Sequence, residues 1–378
     1  MPGRIIKAVR RVVGPGPVAL HTPSIGTVES NSVLRALHGN PVGYDYIDLL
    51  QEKLATVCGV EQVSAVASGT AALHLALMAV GVKAYEEVLV PALTFVATAN
   101  AVVHCGGVPN LVDVRLHDFG INPFKLGRYL ARICEKREGG TFNRQSGRRI
   151  ACLIAVDLLG VPCDIDAIKK ECGRWGIPVI EDAAQALGSI YKGRPCGSNG
   201  YIGILSFNNN KIVTTNGGGA VLTDDPFIQA KVHSLATTAR LAHPWRMEHS
   251  EVAWNYRMGN INAALGLPQL ERIEKLIEQK SKLHDAYAKE LDVGIGTLDT
   301  GSRSNYWLNT LILPPLDNRR DELLTALSKD GIACRTLFTP LMELPMYKSN
   351  PRDNLEGSYD IWRRAICLPS SPHLAELL

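Results

Sequence analysis

Between residues 60 and 240 the sequence alternates short apolar runs with stretches whose apolar residues recur at helical spacing. We predict strands at 63–67, 87–90, 108–114, 150–156, 177–181, 203–207 and 219–223. The helical stretches are 70–80, 94–104, 124–138 and 164–175, and Asp164 is the expected N-cap of the last one. Residues 139–149 are expected to form an exposed loop. Strands that are apolar throughout and separated by helices predict an α/β fold, with a mostly parallel central sheet covered on both faces.

The pattern changes after about residue 240. A long helix is predicted at 260–285, followed by a strand at 306–313, a helix at 319–330 and a strand at 332–336. This mixture is typical of a smaller α+β unit. We therefore expect a large domain over residues 1–245 and a small C-terminal domain over 246–378. The first 20 residues are expected to be peripheral and to form a short amphipathic helix, because charges interrupt the apolar stretch that a secretory signal would need.

Charge and cysteine content argue against several classes of function. A net charge of only +3 over 378 residues gives no reason to expect nucleic acid or an anionic membrane as a partner. No apolar run reaches the roughly 18 residues of a membrane span. The nine cysteines occur singly, without CxxC or Cys/His spacing, so neither a disulfide framework nor a metal site is predicted. A reducing cytoplasm is the expected compartment.

One lysine and one upstream carboxylate point to a particular chemistry. Lys211 stands between three asparagines and a glycine run, and Asp182 ends an apolar strand at the sheet edge where α/β proteins bind ligands. A lysine can form a Schiff base with pyridoxal 5′-phosphate, and a carboxylate can keep the pyridine nitrogen protonated. Taken separately, Lys211 can also be a solvated loop lysine and Asp182 a helix cap.

A third motif lies between the first predicted strand and its helix. Gly69 allows backbone N–H groups to approach an anion at the helix N-terminus, and Thr70 adds a hydroxyl donor. Without a ligand, the same residues would simply cap the helix. The motif is neither a P-loop nor a GxGxxG turn.

These motifs occur together in an order that resembles the sugar-nucleotide aminotransferases of the DegT/DnrJ/StrS group. The matching segments are 67–74 (ASGTAALH), 91–100 (PALTFVATAN), 181–188 (EDAAQALG) and 254–260 (WNYRMGN). The resemblance covers roughly residues 18–372. It implies the fold of the pyridoxal phosphate-dependent transferases of fold type I and pyridoxal 5′-phosphate as the cofactor.

The resemblance also assigns roles to individual residues. Lys211 and Asp182 are the implied catalytic pair, and Gly69, Thr70 and Ser206 would bind the cofactor phosphate. Phe95 would stack on the cofactor ring, and Gln185 would hydrogen-bond its phenolic oxygen. Asn255 would reach the phosphate bound by the partner subunit, which implies a homodimer with shared active sites. Read from the residues alone, Phe95 could be a core aromatic and Asn255 a helix cap.

Within the group, the chain looks closest to the aminotransferases of legionaminic-acid-type pathways. The segments that carry this are 206–215 (SFNNNKIVTT), 237–240 (TTAR), 243–245 (HPW) and 302–308 (SRSNYWL). Many other members have a histidine shortly before the lysine and another within 306–308, and this chain has neither. The resemblance implies a nucleotide-linked 4-keto-6-deoxy sugar, expected to be N-acetylated, as the amino acceptor and L-glutamate as the donor. Candidates for the sugar-nucleotide pocket are Trp245, Arg257, Tyr306 and Trp307, each of which could equally be a core or an interface residue.

Two alternatives stay open at this point. Sugar dehydratases of the same fold replace the lysine with histidine, so Lys211 argues against that activity. A non-catalytic regulatory protein of the same fold is the other alternative, and the complete set of cofactor residues argues against it.

Overall fold

The computed structural model describes residues 2–38, 45–291, 298 and 300–378. Its α-helices are α1 (Pro2–Val13), α2 (Thr27–Leu37), α3 (Tyr46–Cys58), α4 (Gly69–Ala79), α5 (Ala97–His104), α6 (Pro123–Ile133), α7 (Ile165–Gly173), α8 (Pro226–Ala236), α9 (Asn260–Glu271), α10 (Ile273–Leu291), α11 (Arg320–Lys329) and α12 (Glu356–Arg364). Its strands are β1 (Gln62–Val66), β2 (Glu87–Pro91), β3 (Val108–Val112), β4 (Cys134–Arg137), β5 (Gly140–Asn143), β6 (Ile150–Val156), β7 (Val179–Asp182), β8 (Ile190–Tyr191), β9 (Arg194–Pro195), β10 (Ile202–Ser206), β11 (Gly219–Thr223), β12 (Thr310–Ile312), β13 (Arg335–Thr336) and β14 (Ala365–Cys367).

A seven-stranded sheet with the order β1-β11-β10-β7-β6-β2-β3 forms the centre of the described residues. β10, β7, β6, β2 and β3 pair in parallel, and β11 runs antiparallel to β1 and β10. Alternate side chains of one strand enter different hydrophobic clusters: Leu153 belongs to one, and Ile154 to the other. Both faces of the sheet are therefore buried, which confirms the predicted α/β fold with a mostly parallel sheet.

The register of the central strands brings distant parts of the chain to one sheet edge. Asp182, the last residue of β7, pairs with Val156 of β6 and with Ile204 of β10. At the same edge α4 begins directly after β1, where the Ser68 hydroxyl accepts a hydrogen bond from the backbone N–H of Ala71 at 3.0 Å. The carboxyl ends of these strands and the N-terminus of α4 thus meet at one edge of the central sheet.

Three sequence predictions about these elements were wrong. The predicted helix 124–138 ends at Ile133, and the predicted loop 139–149 contributes to the antiparallel hairpin of β4 and β5. This hairpin turns through Gly139 and Gly140, which have φ angles of 86° and 136°. The predicted helix 260–285 is divided at Arg272, whose guanidinium donates to the Glu29 carboxylate at 2.8 Å.

A separate three-stranded antiparallel sheet, in the order β12-β14-β13, is formed by the C-terminal part of the chain. The predicted strand 306–313 is restricted to β12 and the predicted strand 332–336 to β13. Tyr306 has a φ of 51°, which is incompatible with a strand. The domain boundary at residue 245 stays a prediction.

The N-terminal segment forms a helix, as predicted, and it packs on the C-terminal part. The apolar side chains of Val9 and Val12 are buried in α1, in one cluster with Leu283 of α10. Arg10 donates to the Asp330 carboxylate at 2.7 Å. Within the described ranges, no helix combines the length and apolar composition that crossing a bilayer requires.

The closest backbone approach in the central sheet gives a test of the fold. A Cβ atom at Gly203 in β10 would overlap the Gly197 carbonyl, whereas one at Gly173, the last residue of α7, would meet nothing within 4 Å. We expect Gly203→Ala to lower the free energy of unfolding by about 2–4 kcal/mol. Gly173→Ala should change it by less than about 1 kcal/mol. Urea unfolding followed by circular dichroism measures both values, and equal stabilities for the two variants would contradict this packing.

Candidate active site

A cavity of about 320 Å³ lies at the carboxyl edge of the central sheet. Its wall combines the start of α4, the ends of β7 and β10 and residues from the C-terminal part of the chain. The lining residues are Ser68, Gly69, Thr70, Leu73, Phe95, Ala97, Thr98, Asp182, Ala184, Gln185, Ser206, Asn208, Asn210, Lys211, Gly217, Gly218, Trp307, Arg335 and Phe338. The structure therefore brings together seven residues predicted to bind the cofactor, together with Trp307.

Asp182 is a buried carboxylate that neutral donors hold in place. Its Oδ2 accepts a hydrogen bond from the Thr98 hydroxyl at 3.0 Å, and its Oδ1 accepts one from the backbone N–H of Ala184 at 3.1 Å. Burial raises the pKa of Asp182, and these two hydrogen bonds and the Lys211 charge oppose the rise. No ion pair to Asp182 is found among the described residues. The carboxylate can therefore accept a hydrogen bond from a cationic ring nitrogen.

Lys211 lies in the turn that follows β10. Burial lowers the pKa of Lys211 to about 7, with the Asp182 charge opposing the effect and the Arg335 charge adding to it. Its Nζ lies 4.1 Å from the centre of the Trp307 ring. An amine with a pKa near neutrality is partly unprotonated at physiological pH, so Lys211 can act as a nucleophile and as a proton acceptor.

The start of α4 and the end of β10 form a cradle of backbone and hydroxyl groups. A Cβ atom at Gly69 would lie 2.7 Å from Cβ and 3.0 Å from Oγ of Ser206, so only glycine permits this approach. Gly69, Thr70 and Ser206 all line the cavity. A helix N-terminus flanked by hydroxyl groups is suited to binding a phosphate.

Gln185 and Phe95 face the same cavity from other elements. Oε1 of Gln185 accepts a hydrogen bond from the backbone N–H of Leu159 at 2.8 Å, which leaves the amide N–H groups as the donors that can serve a ligand oxygen. Phe95 is 49% exposed, and its ring centre lies 5.4 Å from that of Phe338. One face of Phe95 is thus available for stacking on a planar ligand.

Four of the predicted site residues do not line the Lys211 cavity. Asn255 and Arg257 line a second cavity, and Arg257 is 3.5 Å from the Asp45 carboxylate. Trp245 is 82% exposed, and the Tyr306 ring stacks on His284 with a centroid distance of 4.3 Å. Within one chain, these four residues are therefore separate from Lys211.

Sequence reasoning missed several residues of the cavity. Thr98, which orients Asp182, lies in a segment that the resemblance covers, but its hydroxyl carries no signal by itself. Arg335 lies in β13 and Phe338 follows that strand, and both are more than 100 residues after Lys211 in the sequence. The Arg335 guanidinium lies over the Phe338 ring at 4.7 Å. Only the tertiary fold reveals this contribution, because no local pattern marks it.

A second group of ionisable residues is buried on the side of β7 opposite Asp182. Asp157, Glu181 and Cys196 place their side-chain oxygen and sulfur atoms within 4.8 Å of one another. Glu181 accepts hydrogen bonds from the backbone N–H groups of Asn199 and Gly200, at 2.6 and 3.0 Å. Burial, followed by the nearby Glu181 charge, raises the pKa of Asp157 well above its usual range. The nine cysteines are all free.

The chain is similar to known proteins over almost its whole length. Residues 23–377 match the DegT/DnrJ/EryC1/StrS aminotransferase family. A GDP-perosamine synthase of Vibrio cholerae is 32% identical over 338 residues, which cover 88% of this chain and 87% of that protein. A UDP-4-amino-4,6-dideoxy-N-acetyl-beta-L-altrosamine transaminase of Campylobacter jejuni is 30% identical over 308 residues, which cover 80% of this chain and 78% of that protein. The crystal structure of a DegT DnrJ EryC1 StrS aminotransferase from Brucella abortus has a TM-score of 0.82 at 26% identity, covering 92% of this chain and 94% of that one.

The mostly parallel sheet and the lysine–carboxylate cavity at its edge define a pyridoxal phosphate-dependent transferase of fold type I. More particularly, the chain belongs to the DegT/DnrJ/EryC1/StrS aminotransferase family, and it is a pyridoxal phosphate-dependent aminotransferase. The residues present fit this cofactor. Gly69 allows the N-terminus of α4 to lie directly against the Ser206 hydroxyl, which suits a phosphate, and the buried Asp182 carboxylate can accept a hydrogen bond from a cationic ring nitrogen.

The environment of Asp182 predicts opposite effects of one substitution on two properties. We expect Asp182→Asn to leave the stability of the cofactor-free protein unchanged or higher, because it removes a buried charge whose two hydrogen bonds come from neutral donors. Affinity for pyridoxal phosphate should fall roughly 10- to 100-fold, because the ring nitrogen loses a charged partner worth about 1.5–3 kcal/mol. Urea unfolding and absorbance titration measure the two quantities.

Asp113 provides the matched control for that experiment. It is a buried aspartate that accepts hydrogen bonds from Lys125 Nζ at 2.6 Å and from the Ser358 N–H at 2.8 Å. Asp113→Asn should therefore destabilise the cofactor-free protein and leave cofactor affinity unchanged. If Asp182→Asn behaved like Asp113→Asn, the assignment of Asp182 to the cofactor ring would be wrong.

Proposed function

We propose that this aminotransferase converts a nucleotide-linked 4-keto-6-deoxy hexose, N-acetylated in its natural form, into the corresponding 4-amino-4,6-dideoxy sugar. The observation that carries the reaction type is the cavity in which Lys211, Asp182 and the Gly69–Ser206 cradle meet. The substrate class is supported by relatives named for GDP-perosamine and for a UDP-linked aminosugar.

Each cavity residue has a defined task in this proposal. Bound pyridoxal phosphate supplies an aldehyde that carries the amino group and a ring that withdraws electrons. Gly69, Thr70 and Ser206 hold the phosphate, and Phe95 covers one face of the ring. Asp182 keeps a proton on the ring nitrogen. Lys211 would hold the cofactor through its amine, and that amine would take up and return the proton at the reacting carbon of the substrate.

L-Glutamate is proposed as the amino donor. The cavity wall carries two cationic side chains among the described residues, Lys211 and Arg335. Lys211 is committed to the cofactor, so the Arg335 guanidinium is the group suited to a donor carboxylate. A dicarboxylic donor fits this second positive charge better than a neutral amino acid does.

The substrate is proposed to belong to the legionaminic-acid type, which serves surface-glycan or nonulosonate biosynthesis. This proposal is supported by the segment Asn208–Asn210 before Lys211 and by residues 306–308, because many other members of the group have a histidine shortly before the lysine and another within 306–308. Asn208, Asn210 and Trp307 line the cavity. Trp245, Arg257 and Tyr306 are retained as candidates for the nucleotide moiety. The proposed compartment is the cytoplasm.

A panel of GDP- and UDP-linked 4-keto-6-deoxy hexoses, with and without an N-acetyl group, tests the activity. Each sugar is incubated with the enzyme and L-glutamate, and the amino sugar is detected by mass spectrometry. We expect a UDP-linked N-acetylated substrate to be aminated, and Lys211→Ala to reduce turnover at least about 10³-fold because the amine that moves the proton is absent. Amination of no member of the panel would contradict the proposed substrate class, and full turnover by Lys211→Ala would contradict the mechanism.

We propose a homodimer in which Asn255 completes the phosphate site of the partner subunit. Asn255 lines a cavity separate from that of Lys211 in the same chain, so a contact with the cofactor requires a second copy. The side of the molecule around Asn255 also exposes Trp245, Met247 and Val252. Contact with a second copy would cover this apolar surface.

Mixed dimers of two inactive variants test the shared site. Lys211→Ala and Asn255→Ala are each expected to lose most activity, through the chemistry and through cofactor retention respectively. Unfolding the two together and refolding them should recover about a quarter of the native activity, since half of the dimers are mixed and each contains one intact site. Recovery should be absent if Asn255 acts within its own chain, and size-exclusion chromatography checks that dimers form.

A further inference from the structure

The indole ring of Trp307 contacts the Lys211 turn at two points. The Lys211 Nζ lies 4.1 Å from the centre of the ring, which is the geometry of a cation–π contact. The indole N–H donates to the backbone carbonyl of Asn210, the residue before Lys211, at 2.7 Å. Trp307 itself is buried. The ring therefore holds both the amine and the backbone that carries it.

Hydrogen bonds fix the position of Trp307 from its own backbone. The Trp307 N–H donates to Oδ1 of Asn305 at 2.9 Å, and the Trp307 carbonyl accepts from Nζ of the buried Lys280 at 3.1 Å. The Asn305 amide in turn donates to the carbonyls of Gln185 and Leu187, each at 3.0 Å. The ring orientation is thus set by a network joined to the loop that follows Asp182 at the end of β7.

The groups around Lys211 do not stabilise its charged form strongly. Burial and the Arg335 charge favour the neutral amine, whereas the Asp182 carboxylate favours the ammonium. His21, from the segment after α1, is also within electrostatic reach of Lys211, and the buried imidazole is disfavoured in its charged form. The π face of Trp307, against which the Lys211 amine lies, is therefore an uncharged contact that favours the ammonium over the neutral amine.

We propose that Trp307 is a positioning residue for Lys211, whose indole face receives the amine after substrate displaces it and stabilises the ammonium that forms when the amine takes up a proton. The proton that leaves the substrate carbon would become the third N–H of Lys211, and the bound cofactor would supply the electron sink for the pair left by that C–H bond. The inference rests on the proposed role of Lys211. It assigns to Trp307 a task in the amine transfer itself, separate from contacts with the sugar.

The test measures the pKa of the Lys211 amine in protein loaded with pyridoxamine 5′-phosphate, which leaves that amine free. Acetic anhydride labels unprotonated amines, and the labelling rate of the Lys211 peptide across pH is quantified by mass spectrometry. Trp307→Leu should lower the pKa of Lys211 by about one unit, equivalent to about 1.4 kcal/mol, because the π face is lost. Trp307→Phe should lower the pKa of Lys211 by a smaller amount. A phenyl face remains next to the amine, but the hydrogen bond from the indole N–H to the Asn210 carbonyl is lost.

Trp362→Leu is the matched control. Its ring lies under the Arg320 guanidinium at 5.0 Å, in α12, and it does not line the Lys211 cavity. The pKa of Lys211 should be unchanged in this variant. In steady-state assays, Trp307→Leu should lower kcat several-fold with little change in KM for the amino donor. Substitution of a residue that only contacts the sugar would instead raise KM for the sugar substrate.

An unchanged pKa of Lys211 in Trp307→Leu, with pyridoxamine 5′-phosphate still bound, would overturn the proposal. If Trp307→Leu loses the ligand, the comparison of Trp307→Phe with the native protein decides, and equal pKa values overturn the proposal there too. Labelling requires no sugar substrate, so the result stands whether or not the proposed substrate class is right. Failure of Lys211→Ala to lose activity would instead show that the mechanism itself is wrong.

Discussion

The burial of Asp182 at the end of β7 is the constraint on which the rest of the site depends. The same removal of water has opposite consequences for two neighbouring groups, since it raises the pKa of Asp182 and lowers that of Lys211. A buried carboxylate whose hydrogen bonds come only from a hydroxyl and a backbone N–H is best explained by a cationic group that pairs with it in the ligand-bound protein. A protonated ring nitrogen meets that need, and the lowered pKa of the amine supplies the nucleophile beside it.

Much of this arrangement could be predicted from local sequence patterns. The apolar runs gave the central strands and their parallel pairing, and the polar residues at their ends indicated the sheet edge where Asp182 and Lys211 would meet. Gly69 was recognisable because a glycine before an apolar helix has a known use at phosphate sites. In each of these cases, the signal and the structure it specifies lie within a few residues of one another.

The wrong predictions of element boundaries arose where contacts between separate segments of the chain decide the structure. The hairpin of β4 and β5 contains charged residues, so its sequence resembles a loop, although its partner strand and two left-handed glycines stabilise it. At the break between α9 and α10, Arg272 pairs with Glu29, which lies more than 240 residues earlier in the chain. The start of the predicted strand 306–313 is withdrawn from the small sheet because Asn305 and Trp307 bond to other parts of the molecule. Arg335 reaches the cavity for reasons that no local pattern contains.

The hydrogen bonds of Asn305 also bear on how a substrate can enter. They tie the segment before β12 to the loop after β7, and Ser304 adds a bond to the Gly160 carbonyl at 2.8 Å. All these groups are buried, so separating this seam would leave several donors and acceptors unsatisfied, at a cost of about 1–3 kcal/mol each. Across the cavity, Phe95 and Phe338 meet through one tilted ring pair, worth about 0.5–1.5 kcal/mol. The walls of the cavity therefore differ in stiffness, because the side formed by Phe95 and Phe338 is held less strongly than the seam that keeps Trp307 and Lys211 aligned.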